Sequence, residues 1–403
     1  MNQSPLTLEH LAGARRQLRV AVVTETYPPE VNGVAMTTGR LVSQLIAMGH
    51  VVTLVRPRQS ASDSPAQDER YEEVLSRGIP IPKYNHLKMG LPARHLLVKL
   101  WSVRRPDVVQ IVTEGPLGWS ALGAARKLRI PAVTEFHTNF HSYSRYYGVG
   151  WLKQPVEAYL RRFHNKGETC LVPTRALADK LCRKGVRSVD VVARGVDTQL
   201  FSPARRSEGL RLAWGARPDT LVATVVGRVA PEKNLALALS AFDALAARHP
   251  DAKLVVVGDG PALDGLKRSH PNHVYAGMRT GEDLAAHYAS SDLFLFPSTT
   301  ETFGNVTTEA LASGVPVVGY DYAAVAERVR TGVNGWRVPM HDEAAFIAAA
   351  AAAADAGLLA QARSGARDSV MALDWRAIAE TLVDVMERVV ASNEARAGVG
   401  EAH

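Results

Sequence analysis

Two carboxylates stand eight residues apart at Glu301 and Glu309, in a stretch that predicts a strand, a loop and then a helix. Gly304 lies in the loop, where the missing side chain lets a ligand approach the backbone. The N–H groups near Gly304, Asn305 and Val306 open the helix that carries Glu309. One carboxylate can hold a sugar hydroxyl and the other a ribose diol. A single carboxylate near a helix start could simply stabilise the helix, but that does not explain the pair.

Two cations bracket a second loop, the stretch from Gly227 to Asn234, directly after a predicted strand. Arg228 and Lys233 would converge with the start of a helix on one point, which is the arrangement that a diphosphate needs. The alternative is a solvated charge pair, and the position of the loop after a strand disfavours it. The nearby Gly258-Asp259-Gly260 lacks the third glycine of a dinucleotide-binding fingerprint and is a weak signal.

Two loops in the first half of the chain also follow predicted strands. Asn32 and Gly33 lead into a helix whose free N–H groups could meet an anion, although a plain strand-to-helix turn would look the same. His137 would lie at the carboxyl edge of its sheet, where it could bond a sugar hydroxyl or act as a structural histidine. A polar and aromatic cluster suited to a carbohydrate or an amphiphile follows it, with His141, Tyr143, Arg145 and Tyr146 as candidate acceptor-binding residues.

Short apolar runs alternate with amphipathic segments along the chain, which predicts repeated strand–helix units and parallel sheets. The predicted strands are Leu18–Thr24, Val51–Val55, Val108–Val112, Ala132–Phe136, Thr169–Val172, Val189–Ala193, Leu221–Val226, Leu254–Val257, Val274–Ala276, Leu293–Phe296 and Val315–Val318. The order restarts near residue 197, so we predict an α/β protein with two doubly wound domains, 1–196 and 197–374. A helix over Ala344–Ala354, ended by Asp355 and Gly357, a last helix over 375–392 and a frayed tail over 393–403 complete the prediction.

The charge is unevenly distributed along the 403 residues. Residues 1–196 hold 28 Lys and Arg against 15 Asp and Glu, whereas the remainder holds 19 against 25. A basic half attracts nucleic acid, an anionic membrane or an acidic substrate alike. Nucleic acid is disfavoured because no reading motif is present. Two cysteines without C-x-x-C spacing exclude a disulfide framework, and no apolar run is long enough to span a bilayer. These features favour the reducing cytoplasm.

Taken together, these motifs resemble those of the retaining glycosyltransferases of family 4 over nearly the whole chain. The E-x7-E element, followed by Ser313-Gly314-Val315-Pro316-Val317-Val318, is the most specific part. The others are Asn32-Gly33, Phe136-His137-Thr138, and Gly227-Arg228 with Glu232-Lys233-Asn234. The resemblance implies the GT-B fold, two Rossmann-like domains facing a central cleft, with the acceptor bound by the first domain and a nucleotide-sugar by the second. It also implies that the final helix crosses back to the first domain.

The resemblance also assigns roles to individual residues. Arg228 and Lys233 would neutralise the donor diphosphate, with help from backbone amides near Gly33 and Gly304. Glu301 would hold the 3- and 4-hydroxyls of the transferred sugar. Glu309 would bind the ribose hydroxyls, and His137 would lie near the 6-hydroxyl of the sugar. The resemblance gives a catalytic role to Arg228, Lys233, His137 and Glu301. It gives a donor-binding role also to Asn32, Phe303, Asn305 and Val306. This sequence departs from the family pattern at two positions. Asn32 stands where many members have glycine. Arg194 stands where many have asparagine, and this second departure puts the usual hinge contact in doubt.

The resemblance and the charge together predict the substrates. We expect transfer of a hexose, mannose from GDP-mannose, to a lipid-linked or glycan acceptor, through a front-face reaction that retains the anomeric configuration. No D-x-D motif is present and two cations fill the place of a metal, so no metal or other cofactor is expected. The basic half favours peripheral contact with the inner face of the plasma membrane through clusters at 94–105, 126–129 and 161–166. A solvated basic surface would give the same charge.

Several alternatives stay open at this point. Glucosyl or sulfoquinovosyl transfer from a UDP-sugar to a glycerolipid is the nearest one. A nucleotide-sugar epimerase shares the architecture, but it would need extra acids and bases that the sequence does not show. A non-catalytic protein that binds nucleotide-sugars would also tolerate the basic half.

Overall fold

A computed structural model describes residues 16–30, 32–81, 84–137 and 153–400, and the protein is of the α/β class. In chain order its first elements are β1 (Arg19–Val23), α1 (Gly33–Ala47), β2 (Val51–Pro57), β3 (Gln67–Asp68), β4 (Tyr71–Ser76), β5 (Gly78–Ile81), β6 (Tyr84–Gly90), α2 (Arg94–Val103), β7 (Val108–Ile111), α3 (Pro116–Lys127), β8 (Ala132–Glu135), α4 (Lys153–His164), β9 (Thr169–Val172), α5 (Arg175–Arg183) and β10 (Val189–Val191).

The chain continues with α6 (Glu208–Ala213), β11 (Val222–Val226), α7 (Leu235–Ala246), β12 (Lys253–Val257), α8 (Leu263–Ser269), β13 (Val274–Gly277), α9 (Gly281–Ala289), β14 (Leu293–Phe296), α10 (Asn305–Ala312), β15 (Val317–Tyr320), α11 (Ala323–Arg328), β16 (Gly335–Val338), α12 (Glu343–Ala353), α13 (Ala356–Asp368) and α14 (Trp375–Gly400). Short 3-10 turns cover Pro203–Arg205 and Pro231–Lys233.

The first sheet has the strand order β10-β9-β8-β7-β1-β2-β4-β3. Strand β1 pairs in parallel with both β2 and β7, and β3 is antiparallel to β4. Its central strands are short, apolar and buried, as a parallel sheet covered on both faces requires. The strand order reverses between β1 and β7, so the loops after these two strands meet at one edge.

The second sheet has the order β13-β12-β11-β14-β15-β16, and each of these neighbours pairs in parallel. This is the strand order of a doubly wound nucleotide-binding fold. Strand β11 is buried at all five residues, and β14 and β15 are buried throughout. The order reverses between β11 and β14, which brings the loops that begin at Gly227 and at Pro297 to the same edge.

The described chain divides into two compact units that do not follow the sheets. Among the described residues, the first unit comprises 16–30, 42–81, 84–133 and 383–400, and the second comprises 32–41, 134–137 and 153–382. The sheets themselves change over between β10 and β11, as the sequence predicts. The end of α14 belongs to the first unit, where Glu394 accepts a hydrogen bond of 2.8 Å from Arg16. The domain boundary at 196/197 stays a prediction.

The predicted helix over Ala344–Ala354 is confirmed as α12, which ends before Asp355 as expected. The Asp355 side chain also accepts hydrogen bonds from the N–H groups of Gly357 and Leu358 and so caps α13, a helix that the sequence analysis missed. The tail expected to be frayed from residue 393 is helical to Gly400. Strands β3 to β6 and β16 were missed, because their polar or glycine-containing sequences lack the apolar runs of the central strands.

No single helix within the described ranges is long and apolar enough to cross a bilayer. The pair α12 and α13 meets the length and composition criteria together, but it bends by 95° at the break.

Candidate functional site

The predicted donor residues of the second sheet lie at the edge where its strand order reverses. Arg228 and Lys233 follow β11, and Glu301 follows β14, the strand beside it. The two loops are bonded directly, since the N–H of Thr299 donates to the carbonyl of Glu232 at 3.3 Å. Ligands of open parallel sheets bind outside this edge. The topology therefore brings together residues that are about 70 positions apart in the chain.

Lys233 and Glu301 form an ion pair between the Nζ and Oε1 atoms. Ser298 donates a second hydrogen bond to the same Oε1 atom, at 2.7 Å. The ammonium group also lies 5.7 Å from the centre of the Phe296 ring. Both partners keep part of their side-chain surface, 21% for Lys233 and 13% for Glu301, so a ligand can still reach them. The cation and one carboxylate of the predicted site are thus in direct contact.

Arg228 is held by a carboxylate on its own loop. Its NH2 atom pairs with Oε1 of Glu232, which is almost fully buried, while Arg228 keeps about a third of its side-chain surface. Because the buried carboxylate of Glu232 bonds only one end of the guanidinium, the other N–H groups of Arg228 remain available to a ligand. Glu232 was quoted in the sequence motif without a role, and the structure gives it this positioning role.

The Gly258-Asp259-Gly260 segment supports the Arg228 loop instead of forming a dinucleotide fingerprint. A Cβ atom on Gly258, whose φ is +134°, would lie 1.9 Å from the carbonyl oxygen of Gly227. One on Gly260 would lie 2.4 Å from that of Val229. The N–H of Val229 donates to the carbonyl of Asp259 at 2.9 Å. Glycine is needed here because one backbone lies directly on another.

Glu309 lies in α10, and its carboxyl is surrounded by protein although the residue keeps some accessible surface. Burial raises its pKa to about 7, and a hydrogen bond from the Tyr288 hydroxyl opposes the rise. That bond measures 3.1 Å to Oε2, and Tyr288 is itself fully buried. Gly304, at the N-cap of α10, has a φ of +91° that a residue with a side chain rarely adopts. Glu309 therefore has an unusual and well-defined environment.

Asn32 caps helix α1. Its Oδ1 atom accepts hydrogen bonds from the N–H groups of Val34 at 3.1 Å and Ala35 at 2.9 Å. A Cβ atom on Gly33 would meet nothing within 4 Å, which leaves open space beside the backbone there. The Asn32 side chain thus already uses two of the amides at the helix start. The predicted donor role of Asn32 and Gly33 stays a prediction.

His137 follows β8 and has a largely buried side chain, which contacts two charged groups. Its Nε2 atom lies 2.5 Å from Oε2 of Glu135, and its Nδ1 atom lies 2.6 Å from NH2 of Arg194. Its carbonyl accepts a hydrogen bond from the Thr302 hydroxyl. The predicted bond from His137 to a sugar is untested, but both ring nitrogens have protein groups beside them.

The remaining predicted residues are the acceptor-binding cluster and three residues around the start of α10. His141, Tyr143, Arg145 and Tyr146 lie outside the described residues. Phe303 has a buried side chain, and its carbonyl accepts from the N–H of Ala324 at 2.7 Å, so its side chain serves the core. Asn305 and Val306 form the first turn of α10.

Sequence reasoning missed the partners of the predicted residues. Tyr288 lies in a helix of ordinary composition, and only the fold places its hydroxyl on Glu309. Glu25, after β1, was quoted without a role, yet its Oε1 atom accepts from the N–H of Leu117 at the start of α3. Burial raises the pKa of Glu25 to about 7, and the nearby Glu114 adds to the rise. No grouping of three or more metal-binding side chains occurs in the part of the chain that the structure describes.

Comparison with known proteins identifies the family. The family model "Glycosyltransferase Family 4" matches residues 31–200, and "Glycosyl transferases group 1" matches residues 220–355. A GDP-mannose-dependent alpha-mannosyltransferase from Mycolicibacterium smegmatis is 34% identical over 94% of this chain and 100% of that protein. The chain belongs to glycosyltransferase family 4. A Corynebacterium glutamicum protein of the same name is 32% identical to this glycosyltransferase over 94% of the chain and 91% of that protein.

Solved structures confirm the fold of this family 4 glycosyltransferase. Sucrose-phosphate synthase from Thermosynechococcus elongatus superposes with a TM-score of 0.74 at 18% identity, covering 94% of this chain and 100% of that one. Anabaena HepE in complex with UDP and glucose gives 0.71 at 19% identity, covering 92% and 100%. The fold is GT-B, with two Rossmann-like domains, as the resemblance implied. Membership of the family sets aside the epimerase and the non-catalytic binding protein.

Replacing Gly258 tests the support beneath the Arg228 loop. Gly258→Ala should lower the free energy of unfolding by about 2–3 kcal/mol, because the added methyl group meets backbone and the φ angle disfavours a side chain. Gly265→Ala is the matched control, since its Cβ atom would meet nothing and α8 favours alanine. Urea unfolding measures both, and a Gly258→Ala protein as stable as the Gly265→Ala protein would contradict the packing.

Replacing Glu309 tests its raised pKa. In the folded protein the pKa of Glu309 is about 7, above the ordinary value of 4.5, so the folded state holds the proton more tightly than the unfolded state does. The free energy of unfolding therefore falls as pH rises from about 4.5 to about 7. Glu309→Gln should therefore stabilise the protein relative to wild type by on the order of 1 kcal/mol more at pH 8 than at pH 5.5. Urea unfolding at the two pH values measures the difference. A gain independent of pH would show that Glu309 titrates normally.

Proposed function

We propose that this enzyme transfers mannose from GDP-mannose to a lipid-linked or glycan acceptor with retention of configuration. The observation that carries the proposal is the contact between Lys233 and Glu301 at the edge where strand order reverses, in a chain 34% identical to a GDP-mannose-dependent alpha-mannosyltransferase. The contact provides a cation for a phosphate beside a carboxylate for sugar hydroxyls.

Binding of the donor would exchange partners around this contact. A diphosphate brings negative charge that competes with Glu301 for Lys233, and Arg228 can present the N–H groups that Glu232 does not use. Glu301, relieved of part of its ion pair, can accept hydrogen bonds from sugar hydroxyls. Glu309 would accept from the ribose diol, which favours its ionised form. The donor would thus be held at the phosphates, the sugar and the ribose by different groups.

The reaction breaks the bond between the anomeric carbon and the leaving diphosphate oxygen and forms a bond from the acceptor hydroxyl oxygen to the same face. The hydroxyl proton passes to the leaving diphosphate, so atoms and charge balance without an enzymic nucleophile. Arg228 and Lys233 stabilise the charge that develops on the leaving group, a role in which loss of one fixed donor costs about 3–4 kcal/mol. The reaction needs no metal in this account, because the two cations take its place.

The acceptor assignment rests on charge and on relatives. Residues 1–196 carry an excess of 13 positive charges, which favours an anionic or membrane-borne acceptor. A sulfoquinovosyl transferase from Arabidopsis thaliana is 29% identical over 74% of this chain and 59% of that protein. Transfer from a UDP-sugar to a glycerolipid is therefore the second candidate. Peripheral binding at an anionic membrane fits both.

A donor and acceptor panel tests the assignment. GDP-mannose should raise the melting temperature more than UDP-glucose or GDP alone, because sugar and phosphate contacts add. With a lipid extract as acceptor, product mass should increase by one hexose unit, and NMR of the product should show an alpha linkage. Transfer from UDP-glucose only would favour the second candidate, and an inverted linkage would overturn the retaining mechanism.

Two carboxylate variants separate the proposed roles. Glu309→Ala should weaken binding of GDP by about tenfold, because it loses hydrogen bonds to a charged acceptor. Glu301→Ala should lower kcat by about 100-fold. Lys267→Met, at an exposed position of α8 away from the site, is the control variant and should change neither GDP binding nor kcat. Unchanged kinetics in both carboxylate variants would count against the site.

A further inference from the structure

Arg194 is a buried cation that the proposed reaction does not use. It follows β10 and is 5% exposed, and burial lowers its pKa to about 10, against the opposing effect of the Glu135 charge. Its hydrogen bonds go to the Gly33 carbonyl, the Thr37 hydroxyl and the His137 ring, so within the described residues no carboxylate bonds it directly. A buried guanidinium without a bonded carboxylate is costly. Ionisable groups with strongly shifted pKa values cluster at functional sites.

The contact with His137 fixes the hydrogen on the histidine ring. A guanidinium only donates, so Nδ1, which lies 2.6 Å from NH2 of Arg194, must be the unprotonated acceptor nitrogen. In the neutral ring the hydrogen is then on Nε2, which faces Oε2 of Glu135 at 2.5 Å. The ring thus lies between a guanidinium that bonds Nδ1 and a carboxylate that contacts Nε2 without the geometry of a hydrogen bond. Without Arg194, Nδ1 would lose its hydrogen-bond donor, and the ring would be free to turn.

The same guanidinium also holds the first turn of α1. Its NH1 atom lies 3.3 Å from the carbonyl of Gly33 and also bonds the Thr37 hydroxyl, which in turn donates to the Gly33 carbonyl at 2.7 Å. On the other side, the His137 carbonyl accepts from the hydroxyl of Thr302, the residue after Glu301. One continuous set of bonds thus runs, within the second unit, from the start of α1 through Arg194 and His137 to the segment of Glu301.

We propose that Arg194 is a positioning residue for glycosyl transfer, which holds His137 as the neutral ring with hydrogen on Nε2 and fixes that ring against the first turn of α1. The proposal depends on the proposed function in one respect, which is that His137 and Gly33 lie beside the bound nucleotide-sugar donor. In this proposal Arg194 acts through His137 and the first turn of α1 and not by contacting the substrate. Its loss should therefore slow the transfer step and leave donor affinity nearly unchanged.

A double-mutant cycle tests whether Arg194 acts through His137. Arg194→Met keeps the length of the side chain and should lower kcat by about 10- to 100-fold, with KM for the donor within about threefold. In a His137→Ala background the same change should lower kcat by less than about threefold, because the group that Arg194 positions is gone. Equal losses in both backgrounds would overturn the proposal. Arg187→Met is the matched control at an exposed arginine near β10 and should be silent in both.

The conservative variant guards against a purely structural effect. Arg194→Lys keeps a donor for Nδ1 but cannot hold Thr37 and His137 together as a guanidinium can. It should recover part of the kcat lost in Arg194→Met. A Lys variant no better than the Met variant, with both proteins folded by circular dichroism, would contradict the role of a donor at Nδ1.

Nitrogen NMR of histidine-labelled protein reads the ring directly, without any donor. The His137 signals, assigned by comparison with His137→Ala, should show hydrogen on Nε2 in wild type, a mixture of ring forms in Arg194→Met, and a smaller change in Arg194→Lys. Hydrogen on Nδ1 in wild type, or no change in Arg194→Met, would overturn the proposal even if mannose transfer is confirmed. The expected ring form together with a failure to use GDP-mannose would overturn the proposed function alone.

Discussion

The contact between Lys233 and Glu301 is the interaction on which the site depends. A lysine and a glutamate 68 residues apart meet because β11 and β14 are neighbours at the point where the strand order reverses. Any change that separated those strands would separate the cation from the carboxylate. In the protein without ligand, each charge stabilises the other in a partly buried position where an isolated charge would be unfavourable. A donor must replace part of that interaction, which links binding of the phosphates to release of the sugar-binding carboxylate.

The surroundings of this contact are built for rigidity. Gly258 and Gly260 let one loop lie directly against the backbone of the Arg228 loop, and buried Glu232 holds the Arg228 guanidinium. Tyr288, on α9, donates a hydrogen bond that holds the Glu309 carboxyl. Preorganised groups of this kind lose little freedom when a charged ligand binds, and that is how fixed dipoles and charges stabilise a leaving group. Each supporting residue acts on one residue that the motif already marks.

Much of the second sheet and of the candidate site could be predicted from the sequence, because buried parallel strands carry continuous apolar runs. The runs over β11, β14 and β15 predict buried strands, and the motif residues lie in the loops that follow β11 and β14. The edge strands β5 and β6 were missed because a two-stranded ribbon needs no such run. Tyr288, Glu135 and Glu232 carry no signal in isolation, since their roles come from partners that only tertiary packing supplies. Asp355 follows the end of α12 as predicted, but it also caps the start of α13, which the sequence analysis missed because an aspartate can mark either end of a helix.

The most direct test of this account measures binding of GDP and of GDP-mannose to wild type, Lys233→Met and Glu301→Gln by calorimetry. Lys233→Met should weaken both ligands by about 100-fold, because a charged hydrogen bond to the diphosphate is lost. Glu301→Gln should have opposite effects, binding GDP as tightly as wild type or tighter, since Lys233 no longer has a competing carboxylate, while binding GDP-mannose more weakly. If Lys233→Met bound GDP like wild type, or if Glu301→Gln weakened GDP and GDP-mannose equally, the exchange of partners at this contact would be wrong.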